Sequence, residues 1–168
     1  METHPESLAP HFVVEEAADG GHIANALFRR RYKTDAPDFP HHVVASWNDG
    51  TNRIPLCYIH FTAVGEILLG GGACVDNRAL RRAPADLRRA IRAAGGLYRH
   101  CLAWSVRHFA PRCAAIFGYC GDVLAERTDL AVGFEKTAYP RLLVYFTKPL
   151  DAAKQRALIE QANAASPF

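Results

Sequence analysis

The sequence has no apolar run approaching the roughly 18 to 20 residues that a helix needs to cross a bilayer. Its five cysteines include no C-x-x-C pair. That spacing and the odd count argue against structural zinc and a disulfide framework. The opening residues, Met1 to Glu6, are acidic and lack an apolar h-region, so no secretory signal is expected. A cytoplasmic protein with reduced thiols is the reading that follows. No G-x-S-x-G, H-E-x-x-H or Walker A motif is present, which removes support for hydrolase, zincin and NTPase chemistry. A formal charge of +3 is too small to imply nucleic acid by itself. No internal repeat or low-complexity segment appears.

The chain does carry the means to build a core. It has 168 residues, 49% hydrophobic and 22% charged, which fits one globular domain. Residues 1–11 read as a loose tail and 12–168 as the domain. Phe12 to Val14 suits a short strand, and His22 to Tyr32 a helix ending in the basic run Arg29-Arg30-Arg31. Pro37 and Pro40 mark a loop. Strands are expected at about 42–47, 55–64 and 66–75. Asn48-Asp49-Gly50 and Gly65-Glu66 supply the tight turns of an antiparallel meander. A helix is expected from Pro84, another over 97–109, a buried strand over 114–119, and a short helix over 122–131 closed by Gly133. A strand over 142–147 and a helix over 151–164 complete the pattern. The result is an α/β (α+β) architecture, a mixed, mostly antiparallel sheet flanked by helices. The strand at 114–119 should run parallel to that at 66–75.

Two features carry chemistry. Gly95-Gly96 follows Arg92 at a helix start, where unpaired N–H groups and the helix dipole favour an anion. Arg78, Arg81, Arg82, Arg88, Arg89, Arg92 and Arg99 crowd the same region against Asp76 and Asp86. They form either a solvated basic face or a bed for a phosphate-rich ligand. Gly70-Gly71-Gly72 is either a bulge or close-packing site, or a place where backbone N–H groups meet a ligand.

This order of elements resembles the GNAT superfamily of acyl-CoA-dependent N-acyltransferases over roughly residues 12–147. The family's Arg/Gln-x-x-Gly-x-Gly/Ala signature is matched by Arg92 and Gly95, with Leu97 where Gly or Ala is usual. Its later Asn-x-x-Ala-x-x-x-Tyr pattern reads Asp122, Ala125 and Asp129 before Gly133-Phe134. Asp129 therefore stands where the family often has the tyrosine that protonates the departing thiolate. The resemblance implies transfer of an acetyl or other short acyl group from acyl-CoA to a small-molecule or peptide amine. Acyl-CoA would be a co-substrate, with no metal. The coenzyme would lie on Val75, Arg92, Gly95, Gly96 and Leu97, with Arg88 and Arg89 reaching its 3′-phosphate and Tyr119 and Asp122 opposite. A homodimer is compatible with this reading.

Such a reaction needs a base for the ammonium, an oxyanion site and an acid for the thiolate. Glu66 is the base that the resemblance favours, and His60, on the polar face of the preceding strand, is the competitor. Each also reads as an ordinary structural residue. Asp129 either binds an amine acceptor or simply sits in solvent, and as an ionised carboxylate it is a poor acid for the thiolate unless burial raises its pKa. Cys120, just before a helix N-terminus, is a packed thiol or a nucleophile. Two alternatives to a short-chain acyltransferase stay open. One is a catalytically degenerate GNAT-fold domain that binds a ligand or protein. The other is a long-chain acyltransferase resembling the acyl-homoserine-lactone synthases.

Overall fold

A computed structural model describes residues 8–168. The expected tail falls largely outside the described residues, at 1–7. Leu8 and Ala9 already pack against the core.

Among the described residues, seven strands form one sheet in the order β1-β2-β3-β4-β5-β7-β6. They are β1 (Phe12–Glu16), β2 (His41–Asn48), β3 (Arg53–Val64), β4 (Ile67–Val75), β5 (Ala115–Tyr119), β6 (Glu135–Lys136) and β7 (Leu142–Phe146). Every pairing is antiparallel except β4 with β5. The parallel pair is joined through the helices α2 (Asn77–Arg82), α3 (Ala85–Ala93) and α4 (Leu97–Phe109). The other helices are α1 (Gly20–Tyr32), α5 (Val123–Val132) and α6 (Ala152–Ala165). Helix α2 and strand β6 are additions to the expected pattern. Asp76 makes α2 possible by accepting the N–H groups of Arg78 and Ala79.

Alternation along the strands sends side chains to two faces. Ile59, Phe61 and Leu68 meet Leu87, Ile91, Leu97, Leu102 and Phe109 of α3 and α4. On the other face Tyr58 and Cys74 meet Leu27 and Phe28 of α1, while Leu69, Phe117 and Val144 meet Leu158 and Ala162 of α6. So α3 and α4 cover one face, and α1 and α6 the other. All five cysteines are free and buried.

Two features of β4 open the sheet. The parallel ladder covers only Ile67–Gly70 against Ala115–Gly118. Beyond it β4 runs on to Val75 while β5 ends at Tyr119. The β3–β4 register also shifts. Tyr58 faces Cys74 and His60 faces Gly71, so Gly72 and Ala73 together oppose Ile59. Gly72 adopts φ +58 at this bulge, and a bulge bends its strand away from its neighbour.

The cavity where the sheet splays

A cavity of about 810 Å³ occupies the gap and passes through the sheet. On the α4 side it is lined by Tyr98, Leu102, Ala125, Asp129 and Phe134, and on the α1 side by Arg31, Tyr32, Gly71, Cys74, Tyr119 and Phe168. The bulged stretch Gly70–Val75 forms the rim between them.

The glycines of this rim are required by their neighbours. A Cβ on Gly72 would fall 2.1 Å from His60 Cε1, and one on Gly71 would fall 2.6 Å from the Phe168 backbone oxygen. Tyr32 of α1 donates its hydroxyl to the Ala73 carbonyl at 2.9 Å, fixing the end of that helix against the rim. The glycine triple is thus a bulge and a close-packing site, and the bulge is also the edge of the cavity.

Asp129 is the buried polar centre of the α4 side, with 3% of its surface exposed. Its Oδ1 accepts the Tyr98 hydroxyl at 2.9 Å, and its Oδ2 accepts the Cys120 thiol at 3.2 Å. A Cβ on Gly118 would lie 2.9 Å from Oδ2, so the bare strand makes room for the carboxyl. Burial pushes the Asp129 carboxyl above its ordinary range, against the opposing pull of the hydrogen bonds from Cys120 and Tyr98. Burial and the adjacent carboxylate hold the Cys120 thiol far above its usual value. Cys120 is therefore a neutral hydrogen-bond donor, and the nucleophile reading has no support in its surroundings. Tyr98 is raised for the same two reasons.

Of the expected site residues, Asp129, Val75, Tyr119 and Asp122 line the cavity. Asp122 also caps α5, accepting the Ala125 N–H at 2.8 Å. The others lie elsewhere. Glu66 sits at the closed end of the parallel ladder, exposed and ion-paired with Lys154 of α6, and its own carbonyl accepts the Ala114 N–H. Its end of β4 is the paired end, and the cavity opens at the other.

His60 is buried behind the bulge, its ring stacked on Phe39 with centroids 3.4 Å apart. Burial, with His42 nearby, lowers its pKa to about 3. It supports the rim from behind and does not line the cavity. Leu97 is a core residue. Gly95 and Gly96 give their N–H groups to the Arg92 and Ile91 carbonyls at 3.0 and 2.9 Å. The glycine pair thus ends α3 before it starts α4. Open space surrounds Gly96 where α4 begins. Arg89 and Arg92 are exposed and Arg88 is half-buried; none lines the cavity.

Sequence reasoning passed over Tyr98, Arg31, Tyr32 and Phe168 as site residues. Tyr98 was hidden in the apolar face of α4, two positions beyond the anion-site glycines. The signal that would have found it is proximity to Gly95-Gly96 combined with a phenol, the group missing at position 129.

No family model and no curated protein matches the sequence. Solved structures do match the fold. One is the ribosomal-protein-S18-alanine N-acetyltransferase from Escherichia coli, with TM-score 0.55 and 11% identity over 84% of this chain and 97% of that one. A second is a putative acetyltransferase from Pyrococcus horikoshii, with TM-score 0.52 and 10% identity; 81% of this chain matches about half of that structure, 47%. A third is an AtaT mutant toxin bound to the C-terminus of the antitoxin AtaR and acetyl-CoA, with TM-score 0.50 and 14% identity over 82% and 94% of the two chains. The splayed parallel pair, the bulged β4 and these likenesses agree: the chain has the fold of the GNAT acetyltransferases.

Proposed function

We propose that the protein is an N-acyltransferase that moves an acetyl or other short acyl group from acyl-CoA to an amine. The observation that carries this reading is a cavity that crosses the sheet at the β4–β5 splay, with a buried Asp129–Tyr98 pair on one side. A thioester and an amine entering from opposite faces can meet there in line. The third of the likenesses above was solved with acetyl-CoA, which supports the choice of co-substrate.

In this reading the pantetheine arm enters between α4 and α5. The rim of β4 beyond Gly70 has no β5 partner, so its backbone polar groups are available to the acyl carbonyl. When the tetrahedral intermediate collapses, the C–S bond breaks and the thiolate takes a proton. Asp129, with its raised pKa, is the donor, and Tyr98 holds the carboxyl in position. The amine proton leaves to solvent through the α1 mouth. The pyrophosphate lies at the start of α4, on the N–H groups beyond Gly96 and not on those of the glycine pair itself.

Isothermal calorimetry with acetyl-CoA tests this directly. The expected result is one-site binding that weakens as salt rises. Absence of binding by folded protein would favour the degenerate ligand- or protein-binding domain, for which the use of the Gly95 and Gly96 N–H groups in helix capping is the motivating observation. Tight binding of long acyl-CoA with none of acetyl-CoA would favour the long-chain enzyme.

A further inference from the structure

The three consecutive arginines that end α1 are not equivalent. Arg29 is bound to Asp35, with one contact at 2.7 Å. Arg30 is bound to Asp76. Arg31 has no carboxylate partner among the described residues. Its guanidinium leans on the neighbouring Tyr32 ring, 5.8 Å from the centroid, and it lines the cavity. Tyr32 in turn is tied to the Ala73 carbonyl on the rim. One cation is thus held at the mouth through which, on the acyltransferase reading, the acceptor must pass.

The acidic side chains of the cavity already have partners. The acidic residues lining the cavity, Asp122 and Asp129, both belong to the α5 segment. Asp122 is engaged as a helix cap and Asp129 is held by Tyr98 and Cys120. An acceptor entering from the α1 side meets the Arg31 guanidinium, with the Phe168 main-chain oxygen set against Gly71 beside it. The remaining surroundings on that side are aromatic: Tyr32, Tyr119 and Phe168, the last two with rings edge to face at 6.1 Å.

We infer that the acceptor is a small amine that also carries a carboxylate, and that Arg31 binds that carboxylate. A single free guanidinium matches a monoanion in both charge and planar geometry. A polycation is disfavoured by the same charge. The amine then points inward, past the glycine rim, to the thioester. This rests on the acyltransferase reading and names the substrate class for it.

The test uses the full chain, acetyl-CoA and a panel of aromatic and aliphatic amino acids, each paired with its neutral carboxamide. Spermidine serves as the cationic comparison, and thiol release is the readout. The acids should exceed their amides in kcat/KM by about 10-fold or more at low salt, the gap shrinking as salt rises. Arg31→Gln should bring the ratio toward one, mainly through KM, and Arg31→Lys should keep part of it. Calorimetry of acetyl-CoA binding by each variant separates the two readings. If wild type binds no acetyl-CoA, the acyltransferase reading falls and the inference with it. If acetyl-CoA binds but acids and amides react alike, spermidine is preferred, or no acid is acylated, the assignment of Arg31 alone is overturned.

Discussion

At the scale of single residues, the informative substitution is Asp129. An aspartate at the position where related folds often place a phenol would be a poor acid if it were solvated. Here it is buried, and its pKa is raised by that burial. The phenol has not vanished, because Tyr98 brings one from α4 to 2.9 Å from the carboxyl. A donor must be protonated to act, so turnover, once corrected for the fraction of free amine, should be full below the raised Asp129 pKa and fall as pH rises through it. Asp129→Asn keeps the size but has no acidic proton. It should lower kcat about 10²-fold and remove that alkaline decline, with acetyl-CoA affinity preserved in calorimetry. Glu66→Gln is the comparison, since Glu66 is exposed and paired with Lys154 at the closed end of the ladder. Its pH–rate profile should match wild type, and a large loss of kcat in Glu66→Gln would restore the base that the family resemblance favours.

At the scale of elements, the bulge in β4 decides where the cavity lies. Gly72 combines φ +58 with a Cβ position 2.1 Å from His60. Gly50, in the β2–β3 turn, combines φ +96 with open space. The two separate backbone strain from crowding. Gly50→Ala should cost about 1 kcal/mol in urea unfolding, from conformation alone. Gly72→Ala should cost about 2 kcal/mol or more, because His60 is itself packed against Phe39 and has little room to yield. Equal losses in the two variants would mean that His60 moves aside freely.

The strands themselves were legible from the sequence. Two-residue alternation in β3 and turn residues at 48–50 and 65–66 define the meander, and the structure keeps it with ends shifted by one or two residues. Helix α4 matches its expected span, Leu97–Phe109, because Gly96 before it and Pro111 after it leave little choice. The site was less legible, for reasons that are geometric. Glu66 and Gly70–Gly72 are neighbours in sequence but occupy the closed and open ends of one strand. Gly95-Gly96 carries the composition of an anion loop, yet its N–H groups serve α3. Local composition does not say which of two helices a glycine pair caps. Arg31 and Tyr32 come from a helix about 40 residues before the rim they complete, a closeness that only the fold creates.

At the scale of the whole molecule, Glu16 ties distant parts together. Its carboxylate accepts from His41 of β2 at 2.7 Å, from His108 near the end of α4 at 2.6 Å and from Arg112 at 2.7 Å. Partial burial pushes its pKa up, but the bonds from His108, Arg112 and His41 prevail and bring it to about 2. The folded value is below the unfolded one, so the stabilisation is present above the unfolded pKa and is lost as pH falls from about 4.5 toward 2. Glu16→Gln should destabilise the protein by about 1 kcal/mol at neutral pH, the group being partly exposed, and the difference from wild type should shrink in thermal melts below pH 4. A constant difference across that range would mean that the carboxylate's charge is not what matters.

The short parallel ladder has a mechanical meaning as well. Strands β1–β4 form one antiparallel block and β5–β7 another, and the ladder between them spans only Ile67–Gly70 against Ala115–Gly118. Within the second block, Thr147 continues the β5–β7 pairing by bonding Ala114 and Cys113. The molecule is hinged like a book whose spine is glued along half its height. Load applied across the sheet would concentrate on that spine, and the unglued half is where a substrate can be slipped between the covers without breaking a hydrogen bond between β4 and β5.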